Sequence, residues 1–303
     1  MKKNKILIGT RASKLALIYA NRAKDEIAKV FSGEIELIKI VTEGDQNQKD
    51  RLSEIGGKGL FSKKIEEELL NKKIDLAVHA LKDMPSEETA GLITSCFLKR
   101  NPPEEILITK DNKKLRELNT DSIIGTSSFR REFQLRRIRN DLNYKTIRGN
   151  VDTRISKLNN NDYDSVILSK AGVKSLKLDH LISEEFSTEK LIPSAGQGIV
   201  SLQCRREDED ITNLLSKVND KVTSISALAE RKVLRILEGD CHTAVGVFSK
   251  VNNDNFEISG ELFSIDGKKR YFKTIKDISS NFLKASTELG NYLKSEAKDT
   301  YKK

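Results

Sequence analysis

The chain lacks several features that whole classes of proteins require. Among its 303 residues there is no tryptophan, aromatic residues make up 6%, and proline occurs four times. No stretch approaches the roughly 18 apolar residues of a membrane-spanning helix, and the N-terminal apolar run before Gly9 is too short for a signal peptide. Cys96, Cys204 and Cys241 are far apart, which indicates neither a disulfide framework nor a metal site. We therefore expect a soluble cytoplasmic protein without a bound metal and without membrane contact.

What the chain contains is typical of a globular protein with two or three domains. Apolar residues make up 37% and charged residues 33%, unlike disordered chains, and 303 residues suffice for more than one core. The formal charge of +9 favours an anionic partner without selecting one. Much of it is lysine on helical stretches where acids alternate with bases, which is typical of solvated faces.

Short β-branched runs alternate with longer helical patterns in the first part of the chain, which predicts layers of parallel strands and helices. Residues 5–10, 34–42 and 74–81 are predicted strands, and 13–31 is a predicted helix. Residues 43–61 are polar and end in a glycine-rich stretch, which indicates a loop able to move.

The same order partly repeats further along the chain. "IGTSS" at 124–128 echoes "IGTRAS" at 8–13, each at the end of an apolar run that opens a helix, and 159–172 echoes 71–83. The repeat predicts two similar α/β domains that face each other. The connections between them are predicted at the two proline-containing segments, 101–105 and 192–198.

After residue 220 the pattern changes to that of a small α+β domain. A helical stretch is followed by three strand-like runs and a C-terminal helix, which predicts an antiparallel sheet. The apolar side of the first helix is predicted to consist of Ile225, Leu228, Ala229, Val233 and Ile236. The predicted domain limits are 1–98 with 197–219 for the first α/β domain, 102–192 for the second, and 220–303 for the third.

Seven of the chain's 17 arginines lie within residues 125–154, a density that indicates an anion site. Ser127 and Ser128 are good N-cap residues, and the turn after them is the positive end of a helix dipole. Arg130 and Arg131 stand in that turn, at a cost of roughly 0.3–1 kcal/mol each if no anion answers them. Hydroxyls, backbone N–H groups and two guanidinium groups would converge there on a carboxylate or a phosphate.

Other strand ends repeat this construction. Arg11 and Ser13 stand where a predicted strand runs into a helix, and Lys82 and Asp83 end another strand. Ligands of α/β domains bind beside the carboxyl ends of the strands, so a ligand role is expected for five arginines: Arg11, Arg130, Arg131, Arg148 and Arg154. The other arginines of the cluster are expected on the solvated surface: Arg136, Arg137 and Arg139.

Three kinds of anion could bind to so many cationic side chains: the phosphates of a nucleic acid, the phosphate of a cofactor, or the carboxylates of a small molecule. GxxxxGK[ST] and GxGxxG, the patterns of phosphate loops, do not occur. No recognition helix, aromatic RNA-binding strand or zinc module indicates nucleic acid. Guanidinium groups at several strand ends suit a small molecule with several carboxylates, and the residues favour that ligand narrowly.

Seven motifs of the chain resemble, in order, those of the hydroxymethylbilane synthase family, also called porphobilinogen deaminases. The resemblance runs from residue 6 to about residue 248, and the C-terminal stretch contributes little to it. The motifs are "IGTRASKLAL", "GGKGLFSKKIEEELL", "DLAVHALKDMPSE", "IGTSSFRREFQL", "IRGNVDTRISKL", "PSAGQG" and "EGDCHTAVG".

The resemblance implies both a fold and an activity. It implies three domains, the first two like periplasmic anion-binding proteins and the third carrying a cofactor cysteine. It also implies an enzyme that joins four porphobilinogen molecules head to tail, with loss of ammonia, and releases linear hydroxymethylbilane. The implied primer is a dipyrromethane cofactor held by a thioether. Because every pyrrole ring bears an acetate and a propionate, the arginines would bind a growing row of carboxylates.

The resemblance also implies roles for individual residues. Cys241 matches the cysteine that carries the cofactor, and Asp83 matches the catalytic aspartate. The Asp83 carboxylate would stabilise an electron-poor methylene-pyrrole and help to move the released proton. The other matches at cofactor-binding positions are Lys82, Ser128, Arg130, Arg131, Arg154 and Gln197. The matches at substrate-binding and loop positions are Arg11, Ser13, Arg148, Lys58 and Phe61.

For several of these residues an ordinary structural role is the alternative. An isolated cysteine such as Cys241 is more often a packing residue, and an aspartate at a strand end is more often a turn or cap residue. Phe61 can pack beneath the helix that follows it, and Gln197 can be a polar turn residue. A metal role for Cys241 with His242 is not expected, because no further ligands accompany them.

The chain departs from the family's pattern at several positions. Ser175 stands where many members have an arginine, which leaves one carboxylate contact in question. Glu54 stands at a loop position often filled by lysine, and "KRNPPEE" replaces the run R-x-D-P-R-D. Asp240 stands where glycine commonly precedes the cysteine, and "TAVG" lacks the usual proline. None of these changes touches Cys241 or Asp83, so we expect an active enzyme.

Two other classes of protein stay as alternatives. A two-lobed receptor that performs no chemistry would share the fold and the arginines but would not need Cys241 or a third domain. A nucleic-acid binder would show steeply salt-dependent affinity for DNA or RNA. We expect a small-molecule substrate, porphobilinogen, with no nucleic-acid partner. We also expect a monomer, because no apolar surface stripe is evident.

Overall fold

The structure, a computed structural model, describes residues 3–42, 59–160, 162–239 and 243–302. The strands, in chain order, are β1 (Lys5–Arg11), β2 (Glu34–Ile40), β3 (Leu76–Ala80), β4 (Leu92–Phe97), β5 (Glu105–Thr109), β6 (Ile123–Gly125), β7 (Asn143–Lys145), β8 (Ser165–Ser169), β9 (Glu184–Phe186), β10 (Val200–Arg205), β11 (Val245–Asn252), β12 (Asn255–Phe263) and β13 (Arg270–Ile278). The α-helices are α1 (Lys14–Ala28), α2 (Lys63–Leu70), α3 (Phe129–Arg136), α4 (Val151–Asn159), α5 (Lys170–Ser175), α6 (Glu209–Val218), α7 (Lys221–Leu237) and α8 (Phe282–Ala297).

These strands form two five-stranded sheets and one three-stranded sheet. The first sheet has the order β2-β1-β3-β10-β4 and the second the order β7-β6-β8-β5-β9. In each, the strand in the fourth place runs antiparallel to both neighbours, and the first three strands are parallel. The two sheets therefore share one topology, which confirms the repeat predicted from the two "IGT" motifs. We call the first sheet with α1, α2 and α6 the first unit, and the second sheet with α3, α4 and α5 the second unit.

The start of helix α1 and the face that it buries both follow from its local sequence. Ser13 is its N-cap and accepts a hydrogen bond from the N–H of Ala16 at 3.3 Å. Tyr19, Ala23 and Ile27 recur at the spacing of one helical face and are buried against the first sheet. The helix agrees with the one predicted at 13–31, and its capped start places Ser13 directly after β1.

The third unit consists of the antiparallel sheet β11-β12-β13 with α7 and α8 packed on it, as predicted. One detail of the prediction is wrong, because Leu228 is 44% exposed. The buried side of α7 instead includes Ser226, Glu230 and Arg231. Helix α7 packs on the sheet of its own unit with one side, and its other side contacts the first unit and the connections, where Glu230 pairs with Arg100 and Arg231 donates to the carbonyl oxygen of Pro85, so polar residues are buried as well.

The two segments that connect the first and second units lie side by side. The chain leaves the first sheet after β4, enters the second with β5, and returns between β9 and β10. The N–H of Asn101 donates to the carbonyl oxygen of Gly198 at 2.8 Å. Gly198 has a φ of +82°, and a Cβ there would meet the carbonyl oxygen of Asn101 at 2.4 Å, so only glycine fits. The domain limits given above stay a prediction, because strand pairing does not fix where a connection begins.

Glu230 of α7 joins these connections to the third unit. Its fully buried carboxylate pairs with Arg100 at 2.6 Å. It also accepts the backbone N–H of Gly196 at 2.7 Å and that of Ser249, on β11, at 2.9 Å. One side chain thus holds both connections and the third sheet together. Within the described residues, no helix combines the length and the apolar character that crossing a membrane requires.

Candidate active site

A cavity of about 440 Å³ lies between the first and second units, at the carboxyl ends of their parallel strands. Residues of both units line it. The first unit contributes the end of β1, the start of α1 and the single 3₁₀ turn Leu81–Asp83 that follows β3. The second unit contributes residues around the start of α4 and the end of β8. Of the residues singled out in the sequence, the structure brings together Arg11, Ser13, Phe61, Lys82, Asp83, Arg131, Arg148 and Arg154.

The lining of the cavity carries more positive than negative charge. Six of the side chains are cationic: Arg11, Lys14, Lys82, Arg131, Arg148 and Arg154. Two are acidic, Asp83 and Asp152. Burial and the neighbouring guanidinium groups of Arg131 and Arg148 lower the pKa of Arg154 to about 10. Burial, with further repulsion from the arginines, lowers the pKa of Lys82 to about 8. An anionic ligand would relieve this repulsion.

Arg131 combines a fixed position with a donor that faces no protein partner. It follows the N-cap Ser128, whose hydroxyl accepts the N–H of Arg131 at 3.4 Å. Its guanidinium donates to the carbonyl oxygen of Ile167 at 3.2 Å and pairs with Glu105 at 2.8 Å. The Nε of Arg131 is buried and has no hydrogen-bond partner in the described protein. A buried N–H of this kind costs free energy unless a ligand accepts it.

Glu105, the first residue of β5, was missed by the sequence reasoning. It is fully buried, and its carboxylate pairs with Arg130 at 2.6 Å as well as with Arg131. Burial raises the pKa of Glu105, but the charges of Arg131 and Arg130 outweigh burial and lower it to about 2. The carboxylate of Glu105 on β5 thus offsets the positive charge that Arg130 and Arg131 place at the start of α3.

Three predicted cofactor residues do not line the cavity. Arg130 lies behind it, where its guanidinium also donates to the carbonyl oxygen of Ile192 at 2.9 Å. The hydroxyl of Ser128 is occupied as the cap of α3. Gln197 is fully buried, and its side-chain amide donates to the carbonyl oxygen of Pro103 at 2.7 Å. These residues support the site from behind.

Lys82 and Asp83 face the second unit from the turn after β3. The Nζ of Lys82 lies 3.4 Å from the hydroxyl of Ser169, at the end of β8, and 3.4 Å from the Oε1 of Gln197. Asp83 is exposed to the cavity. Its carboxylate is therefore accessible to a ligand and lies beside a lysine that touches both the second unit and a connection.

Tyr19 and His79 also line the cavity and were not predicted. The ring of Tyr19 belongs to the core of the first unit, and an apolar face was the only signal it gave in the sequence. His79 pairs through Nε2 with the Oε1 of Gln203 at 3.2 Å, and the Nε2 of Gln203 donates to Glu66 at 2.9 Å. Burial lowers the pKa of His79 to about 4, so this histidine is neutral and adds no charge to the cavity.

Phe61 lies at the edge of the cavity, where the guanidinium carbon of Arg11 is 4.1 Å from the centre of its ring. This contact links the segment that precedes α2 to the end of β1. Lys58 and Glu54 lie outside the described residues, as do Asp240, Cys241 and His242.

The other two cysteines are enclosed in the first unit. Cys96 and Cys204 are fully buried and free. Burial raises the pKa of Cys96 to about 12 and also raises that of Cys204, so neither thiol is a nucleophile at neutral pH. Among residues 3–42, 59–160, 162–239 and 243–302, no group of three histidine, cysteine or acidic side chains could hold a metal ion.

The fold and the cavity define a two-lobed α/β protein with a cation-lined cleft and a small third unit. Residues 6–213 match the model of the porphobilinogen deaminase dipyrromethane cofactor binding domain, and residues 224–299 match that family's C-terminal domain. The chain belongs to the porphobilinogen deaminase family. It is therefore an enzyme of the transferase class with a dipyrromethane cofactor.

Curated relatives agree with the family models over nearly the whole chain. A protein of Staphylococcus epidermidis named porphobilinogen deaminase is 39% identical over 303 residues, which cover 99% of this chain and 98% of the relative. One of Bacillus cereus with the same name is 41% identical over 274 residues, 89% of each chain.

Solved structures of periplasmic proteins are more distant. The periplasmic VFT2 domain of BvgS from Bordetella pertussis gives a TM-score of 0.45 at 13% identity, over 74% of this chain and 93% of that one. An arginine-specific periplasmic binding protein of Salmonella typhimurium gives 0.42 at 14% identity, over 73% and 93%.

Proposed function

We propose that the cavity between the two α/β units is the active site at which this chain joins four porphobilinogen molecules on its dipyrromethane primer and releases hydroxymethylbilane. The observation that carries the proposal is the convergence of six cationic side chains from both units around the exposed carboxylate of Asp83. Each pyrrole ring of this chemistry bears two carboxylates, so a ligand of linked rings supplies the negative charge that the cavity lacks.

The residues present fit the cofactor. Lys82, Arg131 and Arg154 project into the same cavity from both units, and the buried Nε of Arg131 needs an acceptor. We assign these three to the cofactor's carboxylates, with Ser128, Arg130 and Gln197 holding them from behind. Arg11, Ser13 and Arg148 are assigned to the substrate's carboxylates, and Phe61 and Lys58 to the edge of the site. When bound, the dipyrromethane supplies the ring carbon on which the chain is extended.

Asp83 is proposed as the catalytic residue. When the C–N bond of porphobilinogen breaks, ammonia leaves with the electron pair and the pyrrole becomes a methylene cation with its charge centred on the ring nitrogen. A carboxylate beside that nitrogen stabilises the charge. Once the methylene carbon has bonded to the free α-carbon of the terminal ring, that α-carbon loses its proton and the ring regains its aromaticity, and the same carboxylate can accept the proton.

Cys241 is proposed as the residue that carries the cofactor through a thioether. The described residues next to it support this assignment. Ala244, on the segment that leads into β11, packs with Phe133 of α3, the helix that also carries Arg131. Cys96 and Cys204 are excluded as attachment sites by their burial and raised pKa.

The mass of the intact protein tests the attachment. The purified chain is expected to exceed its polypeptide mass by two linked pyrrole units, and a Cys241→Ser variant is expected to show the polypeptide mass alone and no turnover. Cys204→Ser is the matched control and is expected to keep the adduct. A wild-type protein that turned over at full rate with a bare polypeptide mass would contradict the proposal.

Turnover in an Asp83→Asn variant tests the catalytic assignment separately. The amide keeps the size of the side chain but removes the charge that stabilises the cation, so turnover is expected to fall by at least about a hundredfold. The adduct is expected to remain, since Asp83 does not hold it. Normal turnover in this variant would mean that another group stabilises the cation.

We further propose that the chain works as a cytoplasmic monomer whose partner is porphobilinogen, without nucleic-acid or membrane binding. A two-lobed receptor is disfavoured because the family match extends through the third unit. Gel filtration of the purified protein tests the monomer. Affinity for DNA or RNA that falls steeply with salt would support the nucleic-acid alternative instead.

A further inference from the structure

An ion pair crosses the cleft between the first and second units. Lys14 is the first residue of α1, directly after the cap Ser13, and Asp152 lies in the first turn of α4. The Nζ of Lys14 is 3.2 Å from the Oδ2 of Asp152, and both residues line the cavity. The pair therefore joins the two units at the candidate active site, and the function proposed above uses neither residue.

Both side chains of this pair are accessible to solvent. That of Lys14 is 77% exposed and that of Asp152 is 47% exposed. Among the six cationic residues that the described lining contains, Lys14 is exposed and the other five are buried or half-buried. An exposed ion pair contributes little to stability, because water screens the charges and two long side chains lose freedom in it. The pair can therefore open at small cost when another anion reaches Lys14.

The two partners differ in what they retain when the pair opens. Asp152 stands at the positive end of the α4 dipole, and its Oδ1 accepts the backbone N–H of Thr153 at 3.0 Å. Lys14 stands at the positive end of the α1 dipole, where a cation is unfavourable. Residues 14–17, the described first turn of α1, include no acidic residue that would offset this. Lys14 therefore gains more from a new anion than Asp152 loses with its cation.

We propose that Lys14 is a further substrate-binding residue, which Asp152 holds before the substrate arrives and which then passes to a carboxylate of porphobilinogen. An incoming substrate meets the exposed Lys14 before it meets the buried guanidinium groups of Arg131 and Arg148. In this exchange Asp152 competes with the substrate for Lys14 and so weakens substrate binding. The inference rests on the proposed function and deepens it, because it adds a residue that sets the affinity for porphobilinogen.

Opposite effects of two charge-removing variants test the exchange. Lys14→Gln is expected to raise KM for porphobilinogen about two- to fivefold, the range for one exposed charge pair. Asp152→Asn is expected to lower KM, because Lys14 then has no partner to leave. In the double variant the effect of Asp152→Asn is expected to disappear, since it acts through Lys14.

The matched controls are Lys29→Gln and Glu26→Gln. They each remove one charge from an exposed ion pair of 2.7 Å at the other end of α1, and neither is expected to change KM. The intact mass gives the fraction of protein that carries the adduct, which is expected to equal that of the wild type in every variant. The wild type is measured first, because absence of adduct and turnover there would contradict the proposed function rather than this inference.

Several outcomes would overturn the inference. A rise of KM in both Lys14→Gln and Asp152→Asn would mean that the pair only holds the two units together. An unchanged KM in Lys14→Gln, or an adduct-bearing fraction that falls in it, would mean that Lys14 binds no substrate or binds the cofactor instead. A lowered KM of Asp152→Asn that persisted in the double variant would assign the effect to the overall charge of the cavity.

Discussion

The buried carboxylate of Glu105 makes the free energy of unfolding of this protein fall as the pH falls into the acid range. Its pKa lies at about 2, against an ordinary 4.5. Because a pKa displaced by one corresponds to 1.36 kcal/mol, the ionised carboxylate contributes about 3 kcal/mol to the free energy of unfolding. A lowered pKa means that this stabilisation is complete above pH 4.5 and is lost as the pH falls towards 2.

The variant Glu105→Gln isolates that contribution. At pH 7 it also leaves Arg130 and Arg131 buried without their counter-charge, so we expect a loss of about 3–5 kcal/mol in the free energy of unfolding. Between pH 5 and pH 2 the wild type loses the contribution and the variant has none to lose. The gap between the two proteins is therefore expected to narrow by about 3 kcal/mol.

Urea unfolding at a series of pH values measures this gap, and Glu189→Gln is the control. The hydrogen bond from Lys250 lowers the pKa of Glu189 to about 2 as well, but this side chain is 62% exposed. Solvent screens the pair, so the control is expected to change stability by less than about 1 kcal/mol. A gap for Glu105→Gln that stayed constant from pH 7 to pH 3 would refute the role given to the carboxylate.

Two further predictions concern the connections and the cavity. Glu230→Ala is expected to lower the free energy of unfolding in urea by about 3–5 kcal/mol, because it leaves Arg100 without its buried partner. The control Glu288→Ala, which removes an exposed partner of Lys273, is expected to lower it by less than about 1 kcal/mol. Equal losses in the two variants would contradict the role given to Glu230 as the junction of the connections. The pKa of Lys82 lies at about 8, so its charge disappears as the pH rises through that value, and kcat/KM of the wild type for porphobilinogen is expected to fall there. In Lys82→Arg the charge persists, so kcat/KM is expected to stay level over the same pH range. The same fall in the wild type and the variant would assign the pH dependence to another group.

Much of the fold could be predicted because its signals are local. The alternation of short apolar runs with a capped helix after Ser13 indicated the first strands and α1 within a few residues. The rule that ligands bind at strand ends placed Arg11 and Arg148 correctly at the cavity edge. Both kinds of inference need only neighbouring residues and the rule that ligands of α/β domains bind at the carboxyl ends of strands.

The parts that could not be predicted depend on contacts between distant residues. Arg130 and Arg131 are adjacent in the sequence and both pair with Glu105, yet only Arg131 lines the cavity, whereas Arg130 also donates to the carbonyl oxygen of Ile192 behind it. Tyr19 was indistinguishable from a core residue, because it packs in the core of the first unit although it also lines the cavity. Neither the different positions of Arg130 and Arg131 nor the place of Tyr19 in the cavity lining can be predicted from the periodicity of a helix or a strand.

The position of β10 between β3 and β4 has a consequence for how the chain is made. The second sheet is assembled from one continuous stretch, residues 105–186, and can close as soon as that stretch has left the ribosome. The first sheet cannot close at that stage, because β3 and β4 both pair with β10 (Val200–Arg205), which is synthesised later. During synthesis the first unit is therefore the last of the two to mature, and until then the edges of β3 and β4 lack the strand that pairs with them.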